Sequence, residues 1–309
     1  MGVLISSIRQ AFPPKSTFTV DDIPDLSGQV IIVTGANSGV GKETVKALLQ
    51  HNAKVYLAAR SSANAKAAID ELQAETGKQA EFLQLDLADL HSVKRAVQEF
   101  TQKETQLHVL FNNGGVMAPP IEQLTVQGLD LQFGTNVVGH FYLTKLLLPT
   151  LLAAAASGNP ARVINTSSIA SEMFSGNINY NTLKDSPARK KAGPNQLYYQ
   201  SKFGNVVFSN ELFRRYGDQG IISVALNPGN LRSGLQRHLV GLTRFLVDSV
   251  LYPTPFGALT QLWAGTTTEG ATFGGKYLIP WARKGTNPST DPSAEKALWT
   301  WLEEQVADI

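Results

Sequence analysis

The chain has 309 residues, 43% hydrophobic and 17% charged, a balance that excludes general disorder and supplies a sizeable core. Its net charge of +2 is too small to suggest a nucleic-acid surface. Without cysteine, disulfides, thiolate chemistry and cysteine metal ligands are excluded, and the five histidines (His51, His91, His108, His140, His238) show no HxxxH or HExxH spacing, so no metal site is expected.

Residues 1–28, with FPPK and TVDDIPDLSG, are rich in Pro and Asp and read as an extended arm. The start MGVLISSIRQ lacks the basic n-region of a secretory signal. It does fit the short acylation pattern M-G-x-x-x-[ST] through Gly2 and Ser6. A single acyl chain there would attach the protein to membranes only weakly. Residues 29–309 are expected to form one domain. VIIVTG (30–35) is a β-branched run, the mark of a buried parallel strand, and 39–51 follow as a helix. KVYLAA (54–59) is a second strand, 62–76 a helix, AEFLQLDL (80–87) a third strand and 89–104 a helix. LHVLFNN (107–113) is a fourth strand, and 122–155 hold a long helix interrupted by loops. Within it LLLPTLLAAAA (146–156) is too short to cross a bilayer, contains Pro149 and reads as a buried helix end. ARVINTSS (161–168) is a fifth strand, 195–216 a helix, IISVALNPG (221–229) a sixth strand and GGKYLI (274–279) a seventh. This alternation predicts an α/β fold with a single doubly wound parallel sheet of about seven strands. Two segments interrupt it. Residues 171–194 are polar and turn-rich and read as an insertion loop. Residues 230–257 are apolar, and Leu235, Leu239, Leu242 and Leu246 fall at helical spacing, as in an amphipathic lid or a core face.

Three motifs carry chemistry. TGANSGVG (34–41), with Gly35, Gly39 and Gly41, links the first strand to the first helix, where close backbone approach and a helix N-terminus suit a pyrophosphate. Its spacing is G-x-x-x-G-x-G. At the end of the second strand, where an NAD site places an acid for the ribose, the chain has Ala59 and then Arg60. That predicts NADP(H), with Arg60 and Ser38 at the 2′-phosphate. The third motif is YYQSK (198–202). On a helix, Tyr198 and Lys202 share a face, and a cation there favours phenolate, lowering a pKa that is ordinarily about 10. Taken alone, the pentapeptide fits better an ordinary amphipathic helix with a core tyrosine and a solvated lysine.

In this order, the motifs resemble the classical type of the short-chain dehydrogenase/reductase family over roughly residues 26–285. TGANSGVG matches its TGxxxGxG, Asp86 its adenine-contacting acid, and NNGG (112–115) its NNAG with Gly115 in place of alanine. NVVG (136–139), NTSS (165–168), YYQSK and NPG (227–229) match the segments that supply its asparagine, serine, tyrosine–lysine pair and PG turn. ANSGxGKET, Arg60 and the long gap before Tyr198 are similar to the retinol-dehydrogenase and WW-domain-oxidoreductase group; the 30 residues separating Ser168 and Tyr198 (198 − 168), where many classical members have far fewer, set an extra loop, 171–194, beside the site.

The resemblance implies a Rossmann-type fold and a hydride transfer between NADP(H) and the carbonyl or alcohol of a mainly apolar small molecule. It implies Tyr198 as general acid or base, Lys202 lowering its pKa and binding the nicotinamide ribose, Ser168 donating to the substrate oxygen, and Asn136 holding a relay water. It places cofactor contacts at Gly35, Asn37, Ser38, Gly39, Val40, Gly41, Arg60, Asp86, Leu87, Asn113, Gly114, Tyr198, Lys202, Pro228, Gly229, Leu231 and Ser233. Homo-oligomers through two long central helices and a cytoplasmic location are expected. A non-catalytic NADP(H)-binding protein of the same fold is the alternative. A sugar-nucleotide epimerase, which also uses YxxxK, is disfavoured by the short tail after residue 280.

Overall fold

Eight strands hydrogen-bond in the order β3-β2-β1-β4-β5-β6-β7-β8. They are β1 (Val30–Thr34), β2 (Lys54–Ala59), β3 (Glu81–Gln84), β4 (Val109–Asn112), β5 (Ala161–Thr166), β6 (Ile221–Leu226), β7 (Tyr277–Ile279) and β8 (Arg283–Lys284). All pair in parallel except the two-residue β8, which turns back on β7 and makes the sheet one strand wider than expected. This computed structural model describes residues 10–174, 176–231 and 251–309. Gly2, Ser6, Ser233 and the leucines at 235, 239, 242 and 246 lie outside them.

The sheet is covered on both faces because its strands alternate. Ile32 enters a cluster with Phe100, Phe141, Phe208 and Trp299, whereas Ile31 and Val33 enter a second with Leu48, Leu72, Phe111 and Leu262. The first face carries the helices α3 (Leu90–Lys103), α4 (Leu131–Ala156), α6 (Pro187–Tyr216) and α8 (Pro292–Gln305). The second carries α1 (Gly39–Gln50), α2 (Ser62–Thr76) and α7 (Thr254–Thr266). A single turn, α5 (Ala170–Met173), follows β5. By length and composition α4 could span a bilayer, but 67% of its most apolar window is buried, as in a central core helix.

Three boundaries depart from the sequence reading. The helix expected from 122 starts at Leu131, because Asp130 Oδ1 accepts the N–H groups of Gln132 and Phe133 and so caps it there. The insertion 171–194 is not a plain loop: α5 and the first turns of α6 fall inside it. α6 therefore begins at Pro187, with Ser186 as its cap, and is interrupted at Gly193 (φ 74°) before the YYQSK turn. α7 and α8 fall in segments read without helices. The arm is docked as well: Phe18, Ile23 and Leu26 are buried in the second cluster.

Candidate active site

The nucleotide end is made of backbone. β1 ends at Thr34 and the chain turns through Gly35 (φ 64°) into α1, whose cap is Ser38. A Cβ on Gly35 would stand 2.6 Å from Gly114 Cα, and one on Gly41 would stand 2.7 Å from both the Gly35 carbonyl oxygen and Asn113 Nδ2. The glycine turn and the Asn113–Gly114 turn thus nest without room for a side chain. Thr34 fastens them: its Oγ1 accepts the N–H groups of Asn113 (2.9 Å) and Gly114 (2.8 Å), and its carbonyl accepts Asn113 Nδ2–H (2.9 Å). This cradle at a helix N-terminus fits the pyrophosphate of a dinucleotide. Asn37, Gly39 and Val40 are partly exposed along the turn, and Ser38 is exposed and makes no side-chain cap bond. Arg60 is exposed directly after β2. Asp86 follows β3 and accepts Ala88 N–H (3.0 Å), and Leu87 packs beneath Gly114. Past β6, Pro228 and Gly229 (φ 95°) turn under the Trp281 ring, and Leu231 is buried against Gly257 near Val40. All these residues stand beyond the carboxyl ends of strands, where an open α/β sheet leaves its crevice. Ser233 lies outside the described residues.

The chemical end is made of buried side chains. Ser168 follows β5, and its hydroxyl oxygen accepts Ala170 N–H (3.2 Å) and lies near enough to Tyr198, which projects from α6, to favour the phenolate. Burial pushes the Tyr198 phenol up to about 12, against the opposing Ser168 hydroxyl. Burial also brings the Lys202 ammonium down to about 8. Lys202 Nζ donates to the Thr166 carbonyl (3.0 Å) and lies 5.9 Å from the Tyr198 ring centre. The expected lowering of the tyrosine by the lysine does not set the direction here: burial of the phenol does, and it raises the pKa. Ser167, the neighbouring hydroxyl, is spent on the Lys202 carbonyl (2.6 Å) and does not face the tyrosine.

The short chain dehydrogenase family profile matches residues 29–240. The chain belongs to this family. It is 58% identical to a short-chain dehydrogenase/reductase of Armillaria gallica over the full length of both chains, and 44% identical to one of Phomopsis amygdali, covering 96% and 95% of the two chains. Among solved structures, an uncharacterised protein from Mycobacterium paratuberculosis superposes with a TM-score of 0.71 at 30% identity, over 94% of this chain and 97% of that one. A Pseudomonas aeruginosa RhlG/NADP active-site complex gives 0.68 at 25% identity, over 83% and 95%. The protein is thus an oxidoreductase of the nicotinamide-dependent short-chain dehydrogenases.

Around Asn136 of the NVVG motif, further residues support this dehydrogenase site, and some of them carry no family motif. Asn136 sits in a π-helical turn of α4, Gly134–Val138. It donates from Nδ2 to Val116 O (3.0 Å) and Ser201 Oγ (3.0 Å) and accepts Val116 N–H at Oδ1 (2.9 Å). Both of its amide protons are spent, so a relay water could meet only its remaining oxygen lone pairs. One turn on, buried His140 links Asn136 to Thr34: its Nδ1 meets the Asn136 carbonyl (3.0 Å) and its Nε2 meets Thr34 Oγ1 (2.9 Å). Burial holds this imidazole down at about 4 and therefore neutral. Its i+4 spacing from Asn136 was the signal that could have found it. At Gly115, where the family resemblance sets alanine, a Cβ would lie 2.9 Å from Asn136 Oδ1. Gln132 ties Ala118 N–H (2.9 Å) to the Pro194 carbonyl (2.8 Å), fixing the approach to YYQSK. Buried Arg189 of the insertion donates to Asp130 (2.9 Å), the cap of α4.

Proposed function

We propose that the protein is an NADPH-dependent carbonyl reductase, running in reverse as an alcohol dehydrogenase, with Tyr198 as its proton donor. The observation that carries this reading is a buried Tyr198 with the Ser168 hydroxyl near enough to favour its phenolate and the buried Lys202 ammonium 5.9 Å from its ring centre. Bound NADPH would supply the hydride at the carbonyl carbon. The Ser168 hydroxyl donates to the substrate oxygen and holds it near Tyr198, and Tyr198 Oη gives that oxygen its proton. A phenol with its pKa near 12 is fully protonated at neutral pH. It stands protonated, as a proton donor to the substrate oxygen must. Lys202 stabilises the phenolate left behind, and Asn136 and Ser201 hold the helix turns that present the pair.

NADP(H) is supported by the missing acid at Ala59, by exposed Arg60 beside the glycine turn, and by the NADP that the RhlG complex holds. Gly35, Asn37, Ser38, Gly39, Val40, Gly41, Asp86, Leu87, Asn113, Gly114, Pro228, Gly229 and Leu231 are the proposed cradle. An apolar substrate fits the likeness to the retinol-dehydrogenase group and the partly exposed aromatic cluster of Tyr252, Phe256 and Trp281 near Gly229. Titration of the protein's fluorescence with NADPH and with NADH, in wild type and Arg60→Glu, tests the cofactor assignment. NADPH binds more tightly in wild type, and the substitution weakens it at least about tenfold while sparing NADH. Equal wild-type affinities would refute the role of Arg60.

A further inference from the structure

Gln10, in the described part of the arm, reaches the chemical end through its buried side chain. Gln10, 1% exposed, lies between two segments that leave adjacent strands of the sheet. Its Oε1 accepts Asn227 Nδ2–H (2.8 Å), and its Nε2 donates to Glu172 Oε1 (2.6 Å). Asn227 directly follows β6, and Glu172 lies in α5, four residues beyond Ser168.

The directions of these bonds among the described residues follow from Asn227. Gly229 N–H donates to Asn227 Oδ1 (2.9 Å), so the Asn227 amide nitrogen must face Gln10. Gln10 then presents its oxygen to Asn227 and its nitrogen to the carboxylate of Glu172. Neither Glu nor Leu at position 10 could serve both partners, whereas glutamine satisfies them with one planar group. The far side of the same helical turn is tied down independently. The Ser168 carbonyl accepts Ser171 N–H (3.0 Å), Ser171 Oγ–H (2.8 Å) and Tyr277 Oη–H (3.1 Å). Gln10 thus spans the gap between the turn that carries Ser168 and the turn that carries Gly229. The rest of the arm makes this reach stable, since Phe18, Ile23 and Leu26 are anchored in the core.

We infer that Gln10 is a positioning residue, and that the arm is a built-in clamp setting the Ser168 turn against the Asn227–Gly229 turn. The effect on catalysis rests on the proposed roles of Ser168 and Tyr198, while the clamp itself does not. A misplacement on the order of 1 Å between reacting groups costs up to about a hundredfold in rate, so losing the clamp should lower kcat more than it raises KM for NADPH.

A swap tests it. Gln10→Glu sets a carboxylate against Glu172, and adding Glu172→Gln restores one amide donor and one carboxylate acceptor with the positions exchanged. Gln10→Ala serves as a second single variant without introduced charge. With NADPH and 9,10-phenanthrenequinone as probe, each single variant at Gln10 lowers kcat at least about tenfold, and the double variant recovers most of it. Amide hydrogen exchange over 168–174 and 227–230 is read on the same proteins. It quickens in Gln10→Glu and Gln10→Ala and slows again in the double variant. If the wild type does not turn over the quinone while exchange follows this pattern, the clamp stands and the assigned activity falls. Exchange that is unchanged by either Gln10 variant, or a kcat equal in all four proteins, would overturn the clamp.

Discussion

The nucleotide end and the chemical end of this site are built from different materials. At the first, Gly35, Gly41 and Gly114 leave so little space that backbone meets backbone, and Thr34 pins the two turns with three hydrogen bonds. At the second, Tyr198 and Lys202 are buried side chains whose ionisation is shifted by the loss of water, toward about 12 and about 8. The first binds by shape and costs the fold little beyond its glycines. The second buries a charge that the fold would rather not carry, and such strain is the usual mark of a reactive site.

That contrast can be broken at its costly end first. Lys202→Met should lower turnover by about a hundredfold or more and yet stabilise the protein at pH 7. The folded lysine has its pKa near 8 against an ordinary 10.5. Below pH 8 it is charged in both folded and unfolded chains, and the burial penalty is present in full. Between pH 8 and 10.5 the folded form sheds its proton, and stability rises. Removing the ammonium should add up to roughly 3 kcal/mol below pH 8 and abolish that rise. The Thr166 carbonyl keeps Asn205 Nδ2 as a donor (3.2 Å). Thermal melts from pH 7 to 10 decide the matter, and a destabilised variant would refute it.

His140 sharpens the comparison, because it lies between the two ends. Its folded pKa is near 4, against 6.5 in the unfolded chain. Above pH 6.5 it is neutral in both states. As pH falls toward 4, the unfolded chain binds a proton that the folded site refuses, and stability drops by roughly 3 kcal/mol. His140→Gln should flatten this part of a urea-midpoint profile. At the nucleotide end, Gly41→Ala should cost about 1–3 kcal/mol of stability and weaken NADPH binding visibly in a fluorescence titration, since its Cβ has backbone atoms at 2.7 and 2.9 Å. The smallest effect belongs to Gly115→Ala. Its nearest obstacle is a side-chain oxygen, Asn136 Oδ1 at 2.9 Å, so a loss below about 1 kcal/mol is expected, with kcat reduced only a few-fold.

The sheet was legible because β-branched runs such as VIIVTG and short apolar runs such as LHVLFNN need both faces covered, and each run fell on a strand. β8 was not legible, since two residues carry no period. The start of α6 at Pro187 was hidden by Gly193 and Pro194, which read as loop but only interrupt a helix capped by Ser186. In the site, spacing and order located Ser168, Tyr198 and Lys202. The sign of the tyrosine's shift was misread because a pentapeptide shows the neighbouring cation and not the burial. Gln10, His140 and Tyr277 act through contacts between 4 and 217 positions apart along the chain, and no local pattern marks the longest of them.

The most direct test of the central claim is NADPH oxidation followed by absorbance, across a panel of apolar aldehydes, ketones and quinones, with wild type and Tyr198→Phe in parallel. The account predicts NADPH-selective turnover by the wild type that falls by about a hundredfold or more in Tyr198→Phe, while both proteins bind NADPH alike. Turnover that survives the loss of the phenol would contradict it.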